Sequence, residues 1–79
     1  MEIIDYYIDY KNDLLFVAFE ELEEYQEYSL DDLKEWVREE FDLSDFTIRD
    51  EGTIEWDYVL EAYVLDNKEN IQSFINQIK

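Results

Sequence analysis

Residues 3–10 (IIDYYIDY) place Ile4, Tyr6, Ile8 and Tyr10 on one phase and Asp5, Tyr7 and Asp9 on the other, the period-two pattern of a half-buried strand. Lys11, Asn12 and Asp13 then supply turn residues. Residues 14–19 (LLFVAF) are apolar on both phases, as in a strand buried on both sides or one whose second face meets a partner. Residues 20–28 (EELEEYQEY) fit an extended strand end or a loop equally well.

Ser29 opens a helix over residues 29–41. Its hydroxyl can accept the third backbone N–H, and Asp32 stands where a short capping box would place its acid. Leu30, Leu33, Trp36, Val37 and Phe41 follow at helical spacing. Phe46, Thr47 and Ile48 lead into Asp50-Glu51-Gly52, a hairpin turn with the chain's single glycine where positive φ is easiest. The next segment reads as a strand, with Ile54, Trp56, Tyr58, Leu60, Ala62 and Val64 on one phase and Glu55, Asp57 and Glu61 on the other. Asp66 and Glu69 mark the start of a closing helix, residues 67–78, with an apolar stripe of Ile71, Phe74, Ile75 and Ile78.

These elements predict an α+β domain over residues 1–79, of order ββαββα, in which an antiparallel four-stranded sheet carries both helices on one face. The two halves have similar spacing. Seventeen residues separate Asn12 from Ser29 and 15 separate Glu51 from Asp66, which hints at duplication without residue identity to support it. On this pattern Trp36, Trp56, Tyr58, Phe41 and Phe74 are core residues. Leu15, Val17, Phe19, Val59 and Tyr63 are expected as an apolar patch on the sheet face away from the helices, which leaves a homodimer open.

Charge changes the picture. The 79 residues include 23 Asp or Glu, six Lys or Arg and no His, for a formal charge of −17 and a pI near 4.1. Acidity of this degree usually accompanies disorder, but here 47% of the chain is hydrophobic and 18% aromatic, enough to build a core. A chain that bears such self-repulsion is expected to use its field, and a negative field selects basic surfaces, above all those that bind nucleic acid. DNA, RNA and anionic lipid are repelled, so neither nucleic acid nor a membrane is an expected partner. The acidic first residues and the lack of a long apolar run point to a cytoplasmic protein, in a host cell's cytoplasm if the source is viral.

The charge is concentrated. From Glu20 to Asp45 stand twelve acids (Glu20, Glu21, Glu23, Glu24, Glu27, Asp31, Asp32, Glu35, Glu39, Glu40, Asp42 and Asp45) and two bases (Lys34 and Arg38), a net −10 that leaves −7 of the total −17 for all other residues. On a helix, Asp31, Glu35, Glu39 and Asp42 form one outward stripe. In an extended segment Glu21, Glu23 and Glu27 recur on one face, at multiples of about 6.7 Å. Successive phosphates of a DNA strand lie on the order of 7 Å apart, so carboxylates so placed can occupy the phosphate-contact residues of a protein. A solvated face that keeps a small protein soluble is the plainer reading, although about 8 charges normally suffice. Tyr25 and Tyr28, interleaved with these acids, are expected to anchor a contact that the acids steer.

Other chemistry finds little support. Without Cys or His the chain lacks the usual zinc ligands and the base that would activate Ser29, Ser44 or Ser73. No acidic stretch has the Asp, Asn and Gly spacing of a calcium loop, and a glycosidase pair needs a deeper pocket than this chain can form. No cofactor and no enzymatic activity are expected.

In size, charge and lack of catalytic residues the chain resembles the acidic DNA-mimic proteins of phages and mobile elements, a class that includes anti-restriction and anti-CRISPR inhibitors and the uracil-DNA glycosylase inhibitor. The resemblance implies an inhibitor that covers the DNA- or RNA-binding surface of a host protein such as a CRISPR or restriction complex. Two alternatives stay open. One is an immunity protein or antitoxin that neutralises a basic nuclease; the other is a structural or regulatory dimerisation module whose charge only maintains solubility.

Overall fold

A computed structural model describes residues 2–48 and 52–78. The chain forms two compact units that divide between Trp36 and Val37. The first holds strands β1 (Ile3–Asp9), β2 (Leu14–Phe19) and β3 (Gln26–Ser29), and helix α1 (Leu30–Glu40) begins in it. The second receives the end of α1. It continues through a 3₁₀ turn (Ser44–Phe46), strands β4 (Thr47–Ile48) and β5 (Thr53–Ile54), helix α2 (Trp56–Leu60), a π-helical turn (Glu61–Leu65) and helix α3 (Lys68–Ile78).

Among the described residues the expected four-stranded sheet is not formed: one antiparallel sheet has the order β1-β2-β3, and β4 and β5 make a separate ladder of two rungs. The closing helix belongs to the second unit, and the second half does not repeat the first.

The hairpin from β1 to β2 forms where the sequence predicts it. The Asp9 carboxylate accepts the Asn12 backbone N–H at 3.2 Å and its side-chain amide at 2.8 Å, and Asp13 takes a positive φ of 55°. The turn is used twice, because the Asp13 carbonyl accepts the N–H of Leu30 at 2.9 Å, tying the start of α1 to the hairpin. An irregularity between Ile3 and Asp5 displaces Ile4 from the ladder. Beyond it the phase changes, so Ile3, Tyr6 and Ile8 share a face with their partners Phe19, Val17 and Leu15, and Ile4 is left 63% exposed. Leu15, Val17 and Phe19 are thus buried, where the sequence reading puts them on an outer patch. Val59 is buried in α2 and Tyr63 half-buried in the π turn, so the five residues make no exposed apolar surface.

Residues 20–25 are turn and loop, and only 26–29 are strand. Ser29 ends β3 and caps α1 without an intervening loop, its Oγ accepting the Asp32 N–H at 3.4 Å. Leu30, Leu33, Trp36 and Val37 are buried as their spacing predicts, and Phe41 follows the last helical residue with its N–H bonded to the Val37 carbonyl.

The largest departure lies in residues 54–64, where helix replaces strand. A period of two assigns Val59 and Tyr63 to the charged phase. A helix instead groups Trp56, Val59, Leu60, Tyr63 and Val64, at spacings of three and four, and turns Tyr58 to solvent at 61% exposure. Burying both phases of apolar residues on one face decides the matter. The helix widens at Tyr63, with the Asp66 N–H reaching the Glu61 carbonyl, and the Asn70 side-chain amide donates to the Tyr63 carbonyl. The Tyr63 ring stacks on Phe41 at 4.4 Å between centroids and meets Phe46 edge-on at 5.8 Å. Gly52 has the expected positive φ of 65°, while Asp50 and Glu51 of the same predicted turn lie outside the described residues. Helix α3 buries Ile71, Phe74 and Ile75. Among the described residues no helix is long and apolar enough to cross a membrane.

Candidate functional site

Every one of the twelve acids between Glu20 and Asp45 is exposed. In the first unit, Glu20, Glu21, Glu23 and Glu24 occupy the connection from β2 to β3, Glu27 lies on β3, and Asp31, Asp32 and Glu35 lie on α1. The connection is held at its start by bonds from Glu20 N–H to the Glu2 carbonyl and from Leu22 N–H to the Phe19 carbonyl. Because it is not extended, Glu21, Glu23 and Glu27 do not form the regular one-faced ladder that an unbroken strand gives.

The helical stripe forms in part. Asp31, Glu35 and Glu39 recur every four residues on α1, a rise of about 6 Å per step. Asp42 lies beyond the helix, where its carboxylate accepts the Ser44 N–H at 3.0 Å, a bond that holds its pKa below the usual value. Glu40 ends α1 and Asp45 sits in the 3₁₀ turn. Asp31 and Asp32 suit the positive end of the helix; Glu39 and Glu40 sit at its negative end, where an anion is disfavoured by about 0.3–1 kcal/mol. Arg38, one of the two bases in the segment, lies over the Trp56 ring at 5.3 Å from its centroid. Among the described residues no group of three Asp or Glu side chains converges to hold a metal ion.

The two tyrosines separate. Tyr28 pairs with Leu15 and stands on the buried face of the sheet, where burial raises its pKa. Tyr25 is exposed and belongs with the opposite face. That face consists of Asp5 and Ala18 as one cross-strand pair, Tyr7, Phe16 and Glu27 as a row across all three strands, and Asp9, Leu14 and Ser29 as another. None of these residues is buried. Tyr7 stacks on Phe16 at 4.9 Å between centroids and meets Tyr25 edge-on at 5.4 Å. Since β2 lies between β1 and β3, Tyr25 must cross it to donate its hydroxyl hydrogen bond to Asp5, and Ala18, paired with Asp5, leaves room. Tyr7 and Phe16 were not among the residues singled out by sequence.

The Tyr25 bond gives a pH prediction. The Asp5 carboxylate favours the protonated phenol and raises the Tyr25 pKa above its ordinary 10.0. A folded-state pKa above the unfolded one stabilises the fold in full below the unfolded value and loses that contribution as pH rises through the folded value. The stability difference between the parent and Tyr25→Phe, measured in urea, is expected to stay constant near neutral pH and to shrink above about pH 10. A difference that grows with alkalinity would contradict the bond.

A second prediction concerns salt. Between 0.1 M and 1 M the Debye length falls from about 10 Å to about 3 Å, which weakens repulsion among exposed acids more in the compact state than in the unfolded chain. The melting temperature in scanning calorimetry is therefore expected to rise with NaCl. A flat or falling value would mean that the acidic surface is already compensated.

Comparison with protein-family models, with curated proteins and with solved structures gives no match.

Proposed function

We propose that the chain is a non-catalytic inhibitor that acts as a nucleic-acid mimic, covering the DNA- or RNA-binding surface of a basic host protein or nuclease complex. The observation that carries this reading is the exposure of all twelve acids in a segment of net −10. Asp31, Glu35 and Glu39 repeat at about 6 Å, close to the spacing of successive phosphates on one strand, on the order of 7 Å. Lys and Arg side chains that hold phosphates can therefore pair with these carboxylates in turn. The field of the whole chain accelerates encounter, and the close pairs set the lifetime of the complex.

Two details favour a partner over simple solubility. Glu39 and Glu40 are kept where the helix dipole opposes them, and the total charge is about twice what solubility asks for. A solubilising surface has no need of acids at the end of α1, whereas a phosphate-like row gains by extending there.

The test is competition. Proteins captured from host lysate at moderate salt are purified and offered a labelled duplex or single strand together with this chain. Mutually exclusive binding, steeply weakened by salt, is the expected result. Simultaneous binding of nucleic acid and this chain would overturn the reading.

A further inference from the structure

The open face of the three-stranded sheet has an aromatic centre and a rim of one charge sign. Its centre is Tyr7, Phe16 and Tyr25, with Tyr7 and Tyr25 exposed by 46% and 42%. Its rim is Asp5 and Glu27, with Asp9 committed to the hairpin turn, and no Lys or Arg occupies any position of the face. An apolar centre inside a polar rim is the anatomy of an interface, and Tyr is enriched among the residues that dominate binding energy. Leu14 and Ala18 stay partly exposed beside these rings, so the face is not used to bury the sheet's own side chains.

We propose that this face receives an arginine side chain of the basic partner, its guanidinium laid against the Tyr7 and Tyr25 rings and paired with the carboxylates of Asp5 and Glu27. The inference rests on the reading of a basic partner given above and names the contact that would anchor it. Charge complementarity selects the occupant. A purely apolar side chain would leave Asp5 and Glu27 desolvated beside it, and lysine is a strongly hydrated point charge, whereas the planar guanidinium stacks on aromatic rings and forks onto carboxylates. The hydrogen bond from Tyr25 fixes one Asp5 oxygen and leaves the other for an incoming donor. A second copy of this chain is a poor occupant, since each copy carries −17.

The test uses capped oligo-arginine and oligo-lysine peptides of equal length, titrated into the isotope-labelled full chain at physiological salt. Oligo-arginine is expected to bind tighter by about fivefold, with amide shifts centred on Tyr7, Phe16, Ala18 and Glu27. Glu27→Gln and Asp5→Asn, which keep shape and leave Tyr25 an acceptor, are expected to bring the ratio of affinities close to one, and Tyr7→Leu to do the same by removing the ring. Equal affinities in the parent, shifts confined to α1, or self-association through this face would overturn the proposal; should Tyr7→Leu fail to fold, the two isosteric variants still decide. The two readings fail separately. An arginine preference without nucleic-acid competition sinks only the mimic reading, and competition without an arginine preference sinks only this one.

Discussion

Phe74→Ala is expected to destabilise the chain by about 3–5 kcal/mol, the range for removing a buried phenyl ring and leaving a cavity. Phe74 is completely buried on α3, flanked by the buried Ile71 and Ile75. Small domains have total stabilities at the low end of about 5–15 kcal/mol, so the variant should be largely unfolded near its parent's working temperature. Ile78 offers an internal comparison. Sequence periodicity places it on the same stripe, yet it is 45% exposed at the end of α3. Ile78→Ala should therefore cost well under half as much, because half-exposed methyl groups lose less transfer free energy and leave no closed cavity. Urea denaturation of both variants checks the contrast, and equal losses would mean that the burial of α3 is not as described.

The ease with which α1 and α3 can be read from sequence has a physical origin. Both have apolar residues at spacings of three and four between polar ones, and α1 adds the cap at Ser29. The stretch from Trp56 to Val64 lacks that clarity, because its apolar residues satisfy a period of two and a helical face at once. Only the burial of Val59 and Val64 together with Leu60 separates the two. β2 fails differently. LLFVAF is apolar on both phases, so nothing in its own pattern tells which face is buried; the pairing of Leu15 with Ile8 and of Phe16 with Tyr7 does. The displaced Ile4 compounds the problem, since it inverts the apparent phase of the start of β1.

The candidate site divides along the same line. That the twelve acids would be exposed follows from residue type, because Asp and Glu are seldom buried without partners. Their arrangement does not, and the loop at residues 20–25 and the end of α1 at Glu40 break two of the expected rows. The aromatic face of the sheet was out of reach of sequence periodicity for a further reason. It joins Tyr7, Phe16 and Tyr25 from three separate segments, and a pairing register has to be known before they meet.

Reversing two charges on α1, Glu35→Lys with Glu39→Lys, is expected to weaken binding to the basic partner by several kcal/mol. A loss of about 3 kcal/mol is roughly a hundredfold in affinity. Each reversal turns an attraction into a repulsion at a close contact, whereas ordinary exposed pairs elsewhere contribute about 0–1 kcal/mol. Asp42 is left unchanged because it holds the Ser44 N–H, and its loss would confuse binding with folding. The double variant carries its own control. Lysine at position 39 lies in the last turn of α1, where a cation is favoured, and lowering the net charge reduces self-repulsion, so the variant should melt no lower than its parent. Stability and affinity are thereby predicted to move in different directions. The effect should also appear chiefly at low salt and partly in the association rate, as screening removes the long-range part of the field. Isothermal titration and stopped-flow measurements with the captured partner provide the check. A double variant that is equally stable and binds as tightly as the parent would exclude the α1 row from the interface, and the phosphate-like spacing of Asp31, Glu35 and Glu39 would then have no part in recognition.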